Sequence, residues 1–311
     1  MTDARPAVET AGLTRQFGHI TAVDDVSLTV PAGAMFGLLG PDGAGKSTTI
    51  RMLATVLAAT SGDATVFGNS VTRASGRVTE LIGYMPQKFS MYPDLTVAEN
   101  VDFFATIRGV PKAVRRERSA RLLDRMGLGP FTSRRAGNLS GGMKQKLMLA
   151  SVLTHEPKLL LLDEPTTGVD PVSRREFWQL LAELRGEGTT VLVATPYMDE
   201  AERCTDLVFL DAGRVRHQGT PKQIKALVPG RLAEVRAQDP RAALAALAGA
   251  RGVLGTHLFG DVVRVRYTPS LTGPAKLRTA LARAGVDATA TSAAMDMETA
   301  FAAIAEDGGR P

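Results

Sequence analysis

The sequence predicts an α/β protein: a large domain built on a parallel sheet covered on both faces, followed by a small α+β domain. Apolar segments at Met35–Gly40, Lys158–Pro165 and Thr189–Thr195 have the length and composition of strands buried on both faces. Helical segments lie between such strands, which is the alternation that parallel sheets require. The composition changes near Val228-Pro229-Gly230, so we predict domains at residues 1–228 and 229–311.

The elements of the first domain follow in a regular order. Short strands are predicted at Val8–Phe17 and Ala22–Val30, before a turn at Pro31–Gly33. The signals are helical from about Asp94 to Leu153, and we assign residues 88–153 to a helical subdomain. The remaining predicted strands are Leu81–Pro86 and Asp206–Gly213, and the remaining helices are Lys46–Ala58, Ser173–Gly188 and Tyr197–Cys204.

The second domain has the pattern β-α-β-β-α-β with a terminal helix, which predicts a ferredoxin-like module. It is rich in alanine and contains no cluster of histidine, cysteine or carboxylate side chains. We therefore expect an accessory or dimer-contact role for it.

Composition restricts the class of protein. With 44% hydrophobic and 22% charged residues, the 311-residue chain has the profile of a soluble globular protein. The arginine-rich segment Lys112–Arg125 predicts a solvated helix face or, alternatively, contact with an anionic partner. Cys204 is the only cysteine, which excludes an intrachain disulfide and favours a reducing compartment. We find no signal-peptide pattern and no apolar run of about 20 residues, so attachment to a membrane would need another chain.

A glycine-rich loop carries the first chemical signal. GPDGAGKST fits the pattern G-x-x-x-x-G-K-[ST] and lies between a predicted strand and a predicted helix. Successive backbone N–H groups and the helix N-terminus would bind phosphates, with Lys46 at the β- and γ-phosphates and Ser47 on Mg²⁺. The loop consists of Gly40, Pro41, Asp42, Gly43, Ala44, Gly45, Lys46, Ser47 and Thr48.

Two carboxylates end the apolar strand LLLLDEP. Asp163 is expected to hold Mg²⁺, directly or through water, and Glu164 to orient or deprotonate an attacking water. Beside a phosphate loop this pair predicts a nucleoside triphosphatase.

With the loop and the carboxylate strand, the segment LSGGM at Leu139–Met143 resembles the ATP-binding subunits of ABC transporters, and the resemblance spans about residues 6–225. It implies a P-loop ABC-type ATPase domain that uses ATP and Mg²⁺. Phe17 matches the aromatic residue that stacks on adenine. Gln87 matches the glutamine that contacts Mg²⁺ and water and senses the membrane subunit.

The resemblance also implies a dimer. Ser140, Gly141 and Gly142 match the signature that contacts the γ-phosphate bound by the opposite subunit, and Asp170 matches a dimer contact. Because the signature precedes the helical run Met143–Leu153, its free N–H groups suit an anion. With the local phosphates held by the loop, two such subunits would clamp two ATP molecules between them.

A narrower resemblance is to bacterial drug-type exporters, whose membrane-spanning subunits are separate chains. It rests on Gln87–Ala105, on the single ATPase domain and on the terminal segment Met297–Asp307. It implies a peripheral location at the cytoplasmic face of the cell membrane and membrane-spanning partners, with no nucleic acid. Two alternatives remain open: a soluble ABC protein acting on nucleic acid or ribosomes, and a regulatory ATP clamp without hydrolysis. The transported substrate is not specified.

Three positions depart from the family pattern. Asp42 stands where asparagine is frequent, and Met143 where glutamine often follows the signature. Pro196 stands where the family has a histidine that hydrogen-bonds the γ-phosphate and the attacking water, and the histidines at 19, 155, 217 and 257 do not replace it. We therefore predict good Mg-ATP binding, slow hydrolysis in this chain's own site, and pairing with a second ATPase chain in preference to a homodimer. As a helix-start residue, Pro196 should not disturb the fold.

Overall fold

The computed structural model describes residues 5–308 of the chain. Two compact units are present, Met1–Gly219 and Thr220–Pro311, and each is described by itself. The first unit contains the strands β1 Val8–Phe17, β2 Ile20–Val26, β3 Thr29–Val30, β4 Met35–Leu39, β5 Ser61–Val66, β6 Asn69–Ser70, β7 Ile82–Met85, β8 Leu159–Asp163, β9 Thr190–Thr195, β10 Asp206–Asp211 and β11 Arg214–Gly219. Its helices are α1 Lys46–Leu53, α2 Ser75–Leu81, α3 Val97–Ile107, α4 Lys112–Arg125, α5 Gly141–Leu153, α6 Pro171–Gly186 and α7 Met198–Ala201. Short 3₁₀ helices span Gly129–Phe131 and Ala136–Asn138.

The main sheet of the first unit has the strand order β11-β10-β4-β9-β8-β7. The five strands from β10 to β7 in this order are parallel to one another. The edge strand β11 is antiparallel to β10. Alternate residues of β8 enter opposite cores: Leu160 and Leu162 pack in one cluster, Leu159 and Leu161 in the other. This follows from the two-residue period of a strand. It explains why β8 is apolar throughout, and the parallel arrangement brings the carboxyl ends of β4, β8 and β9 to one edge.

A second sheet, of order β2-β1-β5-β6 with β3 paired to β1, lies in the N-terminal part of the first unit. The helical segment contains α3, α4 and α5. Helix α3 begins with a capping box, in which the Thr96 hydroxyl accepts from the Glu99 N–H while the Glu99 carboxylate accepts from the Thr96 N–H. Such a box satisfies two N–H groups that a helix start would otherwise leave without partners.

The arginines of α4 form ion pairs within the chain. Arg118 lies 3.2 Å from Glu156, and Arg125 lies 2.8 Å from Glu187. Arg115 lies 3.5 Å from Asp102. These pairs support the interpretation of Lys112–Arg125 as a solvated helix face over the alternative of an anionic partner.

The second unit contains α8 Pro221–Leu227, β12 Arg231–Ala237, α9 Pro240–Leu247, β13 Val253–Phe259, β14 Val262–Tyr267, α10 Pro274–Arg283, β15 Ala288–Ala293 and α11 Met297–Gly308. Its sheet is antiparallel, with the order β13-β14-β12-β15. From β12 to β15 the elements run β-α-β-β-α-β, the order predicted for a ferredoxin-like module. The predicted domain boundary at residues 228–229 falls after α8, whereas the two units divide before α8, between Gly219 and Thr220. Val228, at the end of α8, packs with Ala300 and Ala303 of the second unit.

Two helices are shorter than predicted. Helix α1 ends at Leu53 rather than Ala58, because Thr55 adopts a left-handed conformation with φ of 61° that ends the helix. Helix α7 spans only Met198–Ala201, because the Arg203 and Cys204 N–H groups bond the carbonyls three residues before them.

Pro196 was expected as a helix-start residue, but it lies outside α7. Tyr197 caps the helix, and Pro196 lies one residue before the cap. The strands β5 and β6 and helix α2 had no counterpart in the sequence-based assignment. Among the described residues, none of the helices combines the length and the apolar character that crossing a membrane requires.

Candidate functional site

The glycine-rich loop leaves the carboxyl end of β4 and enters α1 at Lys46. Two of its glycines are required by the close approach of other backbone. A Cβ atom on Gly40 would lie 2.2 Å from the Leu210 carbonyl oxygen, and one on Gly45 would lie 2.4 Å from the Ala22 carbonyl oxygen. Both residues also have positive φ, 153° and 98°, where glycine is favoured. The loop shape thus depends on glycine at both ends.

Lys46 lies inside this loop with only 4% of its surface exposed. Its Nζ donates to the carbonyl oxygens of Gly40 and Pro41, at 2.9 and 3.0 Å. Burial lowers the pKa of Lys46 below its ordinary value, and the negative charges of Glu164, Asp42 and Asp163 oppose that effect. The ammonium group of Lys46 is therefore held where it would contact an anion bound in the loop.

Asp163 ends β8 and is fully buried. Its Oδ1 accepts a hydrogen bond of 2.7 Å from the Ser47 hydroxyl, while its Oδ2 has no hydrogen-bond partner. Burial raises the pKa of Asp163, and the Ser47 hydroxyl and the charge of Arg51 act in the opposite direction. A hydroxyl beside a carboxylate with an unsatisfied oxygen is a donor set that fits Mg²⁺, which takes one or two carboxylates together with phosphate oxygens.

Glu164 follows at once and adopts the left-handed conformation, with φ of 48°. Its N–H donates to the Ala194 carbonyl of β9 at 2.9 Å. Its Oε2 accepts from Gln87 Nε2 at 2.7 Å and from the Thr167 hydroxyl at 3.2 Å. A non-glycine residue in this region carries strain of about 1–3 kcal/mol, which the surrounding structure must offset.

Glu164 lines one cavity of about 260 Å³ together with Ala22 and the loop residues from Asp42 to Thr48, and Asp163 and Gln87 are joined to this lining by their hydrogen bonds to Ser47 and Glu164. The structure therefore brings the phosphate loop, Asp163, Glu164 and Gln87 together at the carboxyl edge of the main sheet. Such an edge is where ligands of open α/β sheets bind. Lysine, hydroxyl and carboxylates in this arrangement can bind a phosphate chain with its metal ion and can accept a proton from a water.

Phe17 and the signature residues are not among the residues that line this cavity. Phe17 ends β1 with 46% of its surface exposed, and the Arg15 guanidinium lies 4.5 Å from its ring centroid. Ser140 caps α5, its hydroxyl accepting from the Met143 N–H at 3.3 Å. Gly141 and Gly142 are the first residues of that helix, so their N–H groups have no partner within it.

Asp170 caps α6 beside the signature. Its Oδ1 accepts from the N–H groups of Val172 and Ser173, at 3.1 and 2.9 Å, and the hydrogen bond from Ser173 is the main cause of its lowered pKa. A Cβ on Gly142 would lie 2.5 Å from the Ser173 Cβ atom. Glycine at 142 therefore allows the start of α5 to approach the start of α6.

Pro196 follows Thr195, which pairs with Leu39 at the end of β4. The adjoining residue Ala194 pairs with Asp163. Pro196 therefore lies at the same edge of the sheet as the phosphate loop, Asp163 and Glu164. His155 lies at the opposite end of the sheet, with its Nε2 2.9 Å from the carbonyl oxygen of Ile82, the first residue of β7.

Four polar residues near this edge were missed at the sequence level: Thr166, Thr167, Thr195 and Glu200. The threonines follow or end apolar strands, where hydroxyl residues are common and carry no signal of their own. Glu200 matched the acidic residues expected in the first turn of a helix, yet it is fully buried. The only signal for it was an acidic residue beside apolar ones in the short segment Met198–Ala201.

The chain is similar to known proteins of one family. The family model described as "ABC transporter" matches residues 23–167. The chain is 50% identical over 222 residues to the probable multidrug ABC transporter ATP-binding protein YbhF of Escherichia coli, which covers 71% of this chain but only 38% of YbhF. It is 42% identical over 239 residues to the daunorubicin/doxorubicin resistance ATP-binding protein DrrA of Streptomyces peucetius, covering 76% of this chain and 72% of DrrA.

Solved structures show the same fold. CbiO1 of Clostridium perfringens, part of the ABC transporter complex CbiONQ, superposes with a TM-score of 0.66 at 28% identity and covers 71% of this chain and 91% of its own. The ATP-binding cassette MJ0796, seen as a dimer in a post-hydrolysis state with ADP and Pi, superposes with a TM-score of 0.62 at 26% identity, covering 68% and 98%. On its motifs, its fold and these similarities, the chain belongs to the ATP-binding proteins of ABC transporters.

Proposed function

We propose that this chain binds Mg-ATP and powers a membrane exporter through ATP-driven dimerisation of two ATPase chains. The observation that carries the proposal is the convergence of Lys46, Ser47, Asp163 and Glu164 on the phosphate loop, with Gln87 bonded to the Glu164 carboxylate. The names of YbhF and DrrA favour a drug as cargo. The chain spans 38% of YbhF, so cargo and partners belong to the proposal.

In the proposed complex, Phe17 stacks on the adenine ring and the loop N–H groups bind the phosphates, as helix N-termini do. Lys46 exchanges its two loop carbonyls for β- and γ-phosphate oxygens. Ser47, Asp163 and Gln87 would hold Mg²⁺, and the Asp163 oxygen without a partner would be available for it. When bound there, Mg²⁺ would supply positive charge that neutralises the charge developing on the phosphates.

Hydrolysis requires a water to attack the γ-phosphorus, forming one P–O bond while the bond to the β-phosphate oxygen breaks. Glu164 accepts the proton that this water loses. Gln87, which donates to Glu164 at 2.7 Å, orients the carboxylate and contacts the water. Ser140, Gly141 and Gly142 contact the γ-phosphate bound by the opposite chain, and Asp170 lies at the dimer contact.

Pro196 limits the rate of this reaction. Proline carries no side-chain hydrogen-bond donor and no N–H group. Pro196 follows β9, which lies between β4, the strand before the phosphate loop, and β8, the strand that ends in Asp163. Loss of one preorganised donor to a transition state costs about 10²–10³-fold in rate, by analogy with oxyanion-hole donors. ATP binding depends on other residues, so we propose a site that holds ATP well and hydrolyses it slowly.

Slow hydrolysis favours a heterodimer. The signature of this chain could complete the site of a partner that supplies its own loop, glutamate and histidine, which would give one active and one slow site. We propose that the pair acts at the cytoplasmic face of the membrane with separate membrane-spanning subunits. A regulatory ATP clamp is the second candidate, and Pro196 is the observation that favours it.

The test measures two quantities, ATP binding and the rate of hydrolysis. Binding of ATP to the purified chain is measured with and without Mg²⁺, and single-turnover hydrolysis is measured in a dimer whose partner site is blocked at its catalytic glutamate. We expect Mg²⁺-dependent binding and slow turnover. A rate equal to that of a histidine-bearing site would reject the slow-site proposal, and absence of ATP binding would reject the function itself.

Co-purification with a histidine-bearing ATPase chain would support the heterodimer, whereas a homodimer that drives transport alone would refute it.

A further inference from the structure

A buried carboxylate outside the phosphate loop connects the segments around the site. Glu200 has none of its surface exposed. Its Oε2 accepts from the Thr195 hydroxyl at 2.6 Å, its Oε1 accepts from the Thr166 hydroxyl, and Arg174 Nε lies 3.8 Å from Oε1. A buried charge is costly unless it is paired and hydrogen-bonded. These three partners compensate the Glu200 carboxylate, and the fold in turn depends on keeping them together.

The first two partners stand beside the reacting groups. Thr195 immediately precedes Pro196, and its oxygen also accepts from the Tyr197 N–H at 3.0 Å. The backbone on both sides of Pro196 is therefore held through one hydroxyl. Thr166 follows Glu164 by two residues, in the segment that leads to Asp170. Glu200 thus joins the end of β9 to the segment that carries the proposed proton acceptor.

The third partner comes from α6. The Arg174 N–H donates to the Asp170 carbonyl at 2.9 Å, within the first turn of the helix. The Arg174 guanidinium lies 4.3 Å from the Tyr197 ring centroid and 3.8 Å from an Asp199 oxygen. The helix that Asp170 caps is therefore tied to residues 197–200 by an ion pair and a cation–π contact.

We infer that Glu200 is a positioning residue that acts through Thr166, Thr195 and Arg174. Through these partners it holds Glu164, the backbone at Pro196 and the start of α6 in fixed positions relative to one another. The inference rests on the proposed ATPase function. With proline at 196, the orientation of the water depends on Glu164 and on backbone geometry, and a displacement of about 1 Å can cost on the order of 10²-fold in rate. Glu200 does not line the phosphate cavity, so its loss should lower kcat and leave ATP affinity unchanged.

Two substitutions separate charge from hydrogen bonding. In Glu200→Gln the amide keeps the size of the side chain and can still bond both hydroxyls, but the ion pair with Arg174 is lost. In Glu200→Leu both the hydrogen bonds and the ion pair are lost. Thr195→Val removes the bond to Glu200 and the bond from the Tyr197 N–H but keeps the ion pair with Arg174, and it is a milder variant in case Glu200→Leu does not fold. The exposed Glu202 lies two residues away, so Glu202→Gln is the matched control for loss of a negative charge.

The experiment measures ATP affinity, single-turnover hydrolysis with the partner site blocked, and hydrogen exchange of residues 164–170 and 195–198. We expect Glu200→Leu to lower kcat about 10–100-fold with KM unchanged, Glu200→Gln to lower it less, and Glu202→Gln to match the wild type. In a double-mutant cycle, Thr195→Val should lower kcat less in the Glu200→Leu background than in the wild type, because both variants remove the bond between these two side chains. Exchange should accelerate in both segments together.

An unchanged kcat in the folded Glu200→Leu and Thr195→Val variants would overturn the inference. If wild-type turnover is below detection, unchanged exchange in both segments of these variants would overturn it instead. A rise in KM with an unchanged kcat would also contradict a positioning role. Failure of the wild type to bind ATP would refute the proposed function and is seen before any variant is made, so the two failures are distinguishable.

Discussion

Gln87 donates a hydrogen bond of 2.7 Å to the carboxylate of Glu164, so the segment after β7 is joined to the end of β8 at the proposed reaction centre. Gln87 and Glu164 are separated by 76 intervening residues in the sequence, and they follow the adjacent strands β7 and β8 of the sheet. A change in the position of Gln87 would therefore reach the proposed proton acceptor without passing through another side chain.

Glu164→Gln should abolish most hydrolysis while ATP binding persists. Loss of a positioned base typically costs about 10²–10⁴-fold in rate, and the amide keeps the shape of the side chain beside Gln87 and Thr167. Single-turnover hydrolysis and a fluorescent-nucleotide titration measure the two effects. Glu176→Gln, on the exposed face of α6, is the control; a rate for Glu164→Gln equal to that control would contradict the role of Glu164.

Lys46→Ala should weaken ATP binding. A hydrogen bond to a charged group contributes about 1.5–3 kcal/mol, which corresponds to roughly 10–150-fold in Kd. The exposed Lys158 precedes β8 at the other end of the sheet, so Lys158→Ala is a matched control. Equal Kd values for the two variants, measured by calorimetry with Mg-ATP, would refute the assignment of Lys46.

Pro196→His should raise the rate of hydrolysis in the chain's own site by up to about 10²–10³-fold, because it supplies the missing donor. Pro196 lies before the cap of α7, outside the helix, so the substitution should leave α7 intact. Pro196→Ala removes the ring without adding a donor and should keep the slow rate. If Pro196→Ala accelerates hydrolysis as much as Pro196→His, the effect comes from the backbone and the donor explanation fails.

Cys204 should resist alkylation in the folded protein. Burial, followed by the negative charges of Glu200 and Asp206, raises the pKa of its thiol to about 12. At pH 8 only about one thiol in ten thousand would be ionised, and the thiolate is the reactive form. Labelling with iodoacetamide, followed by mass spectrometry, should be fast only in denaturant; rapid labelling of native protein would contradict the prediction.

The same shift predicts the sign of a pH effect on stability. The folded-state pKa of Cys204 lies above the value of about 8.5 for a free thiol. The neutral thiol therefore contributes stability that is fully present below about pH 8.5 and is lost as the pH rises towards 12. The free energy of unfolding of the wild type should fall more steeply than that of Cys204→Ala across this interval, as measured by urea titration. Parallel pH profiles would contradict it.

The local part of the site could be predicted from the sequence. Gly40 to Thr48 form one continuous segment, and a glycine-rich turn between strand and helix specifies its own geometry through backbone conformation. The positions of Asp163 and Glu164 followed from the apolar run before them. Ser47 and Asp163 were each predicted to hold Mg²⁺, and a hydrogen bond of 2.7 Å joins the two side chains in the structure.

Two local features of this region could not be predicted from the sequence. The helix after Pro196 was assigned from its acidic start, but local propensity does not determine where a helix of one turn ends. The other feature is the left-handed backbone of Glu164, whose carboxylate accepts a hydrogen bond from the Thr167 hydroxyl. No periodic pattern in the sequence signals that conformation.

By itself, the sequence determined that this chain is an α/β ATP-binding protein with a glycine-rich phosphate loop, two strand-end carboxylates and a proline in place of a histidine. Those features are encoded in residue type and short spacing, because backbone conformation and hydrophobic period act over a few residues. Only the tertiary structure decided that Glu200 is buried between Thr166, Thr195 and Arg174. Burial is a property of the packed chain, and the same acidic residue would be solvated if these three segments were apart.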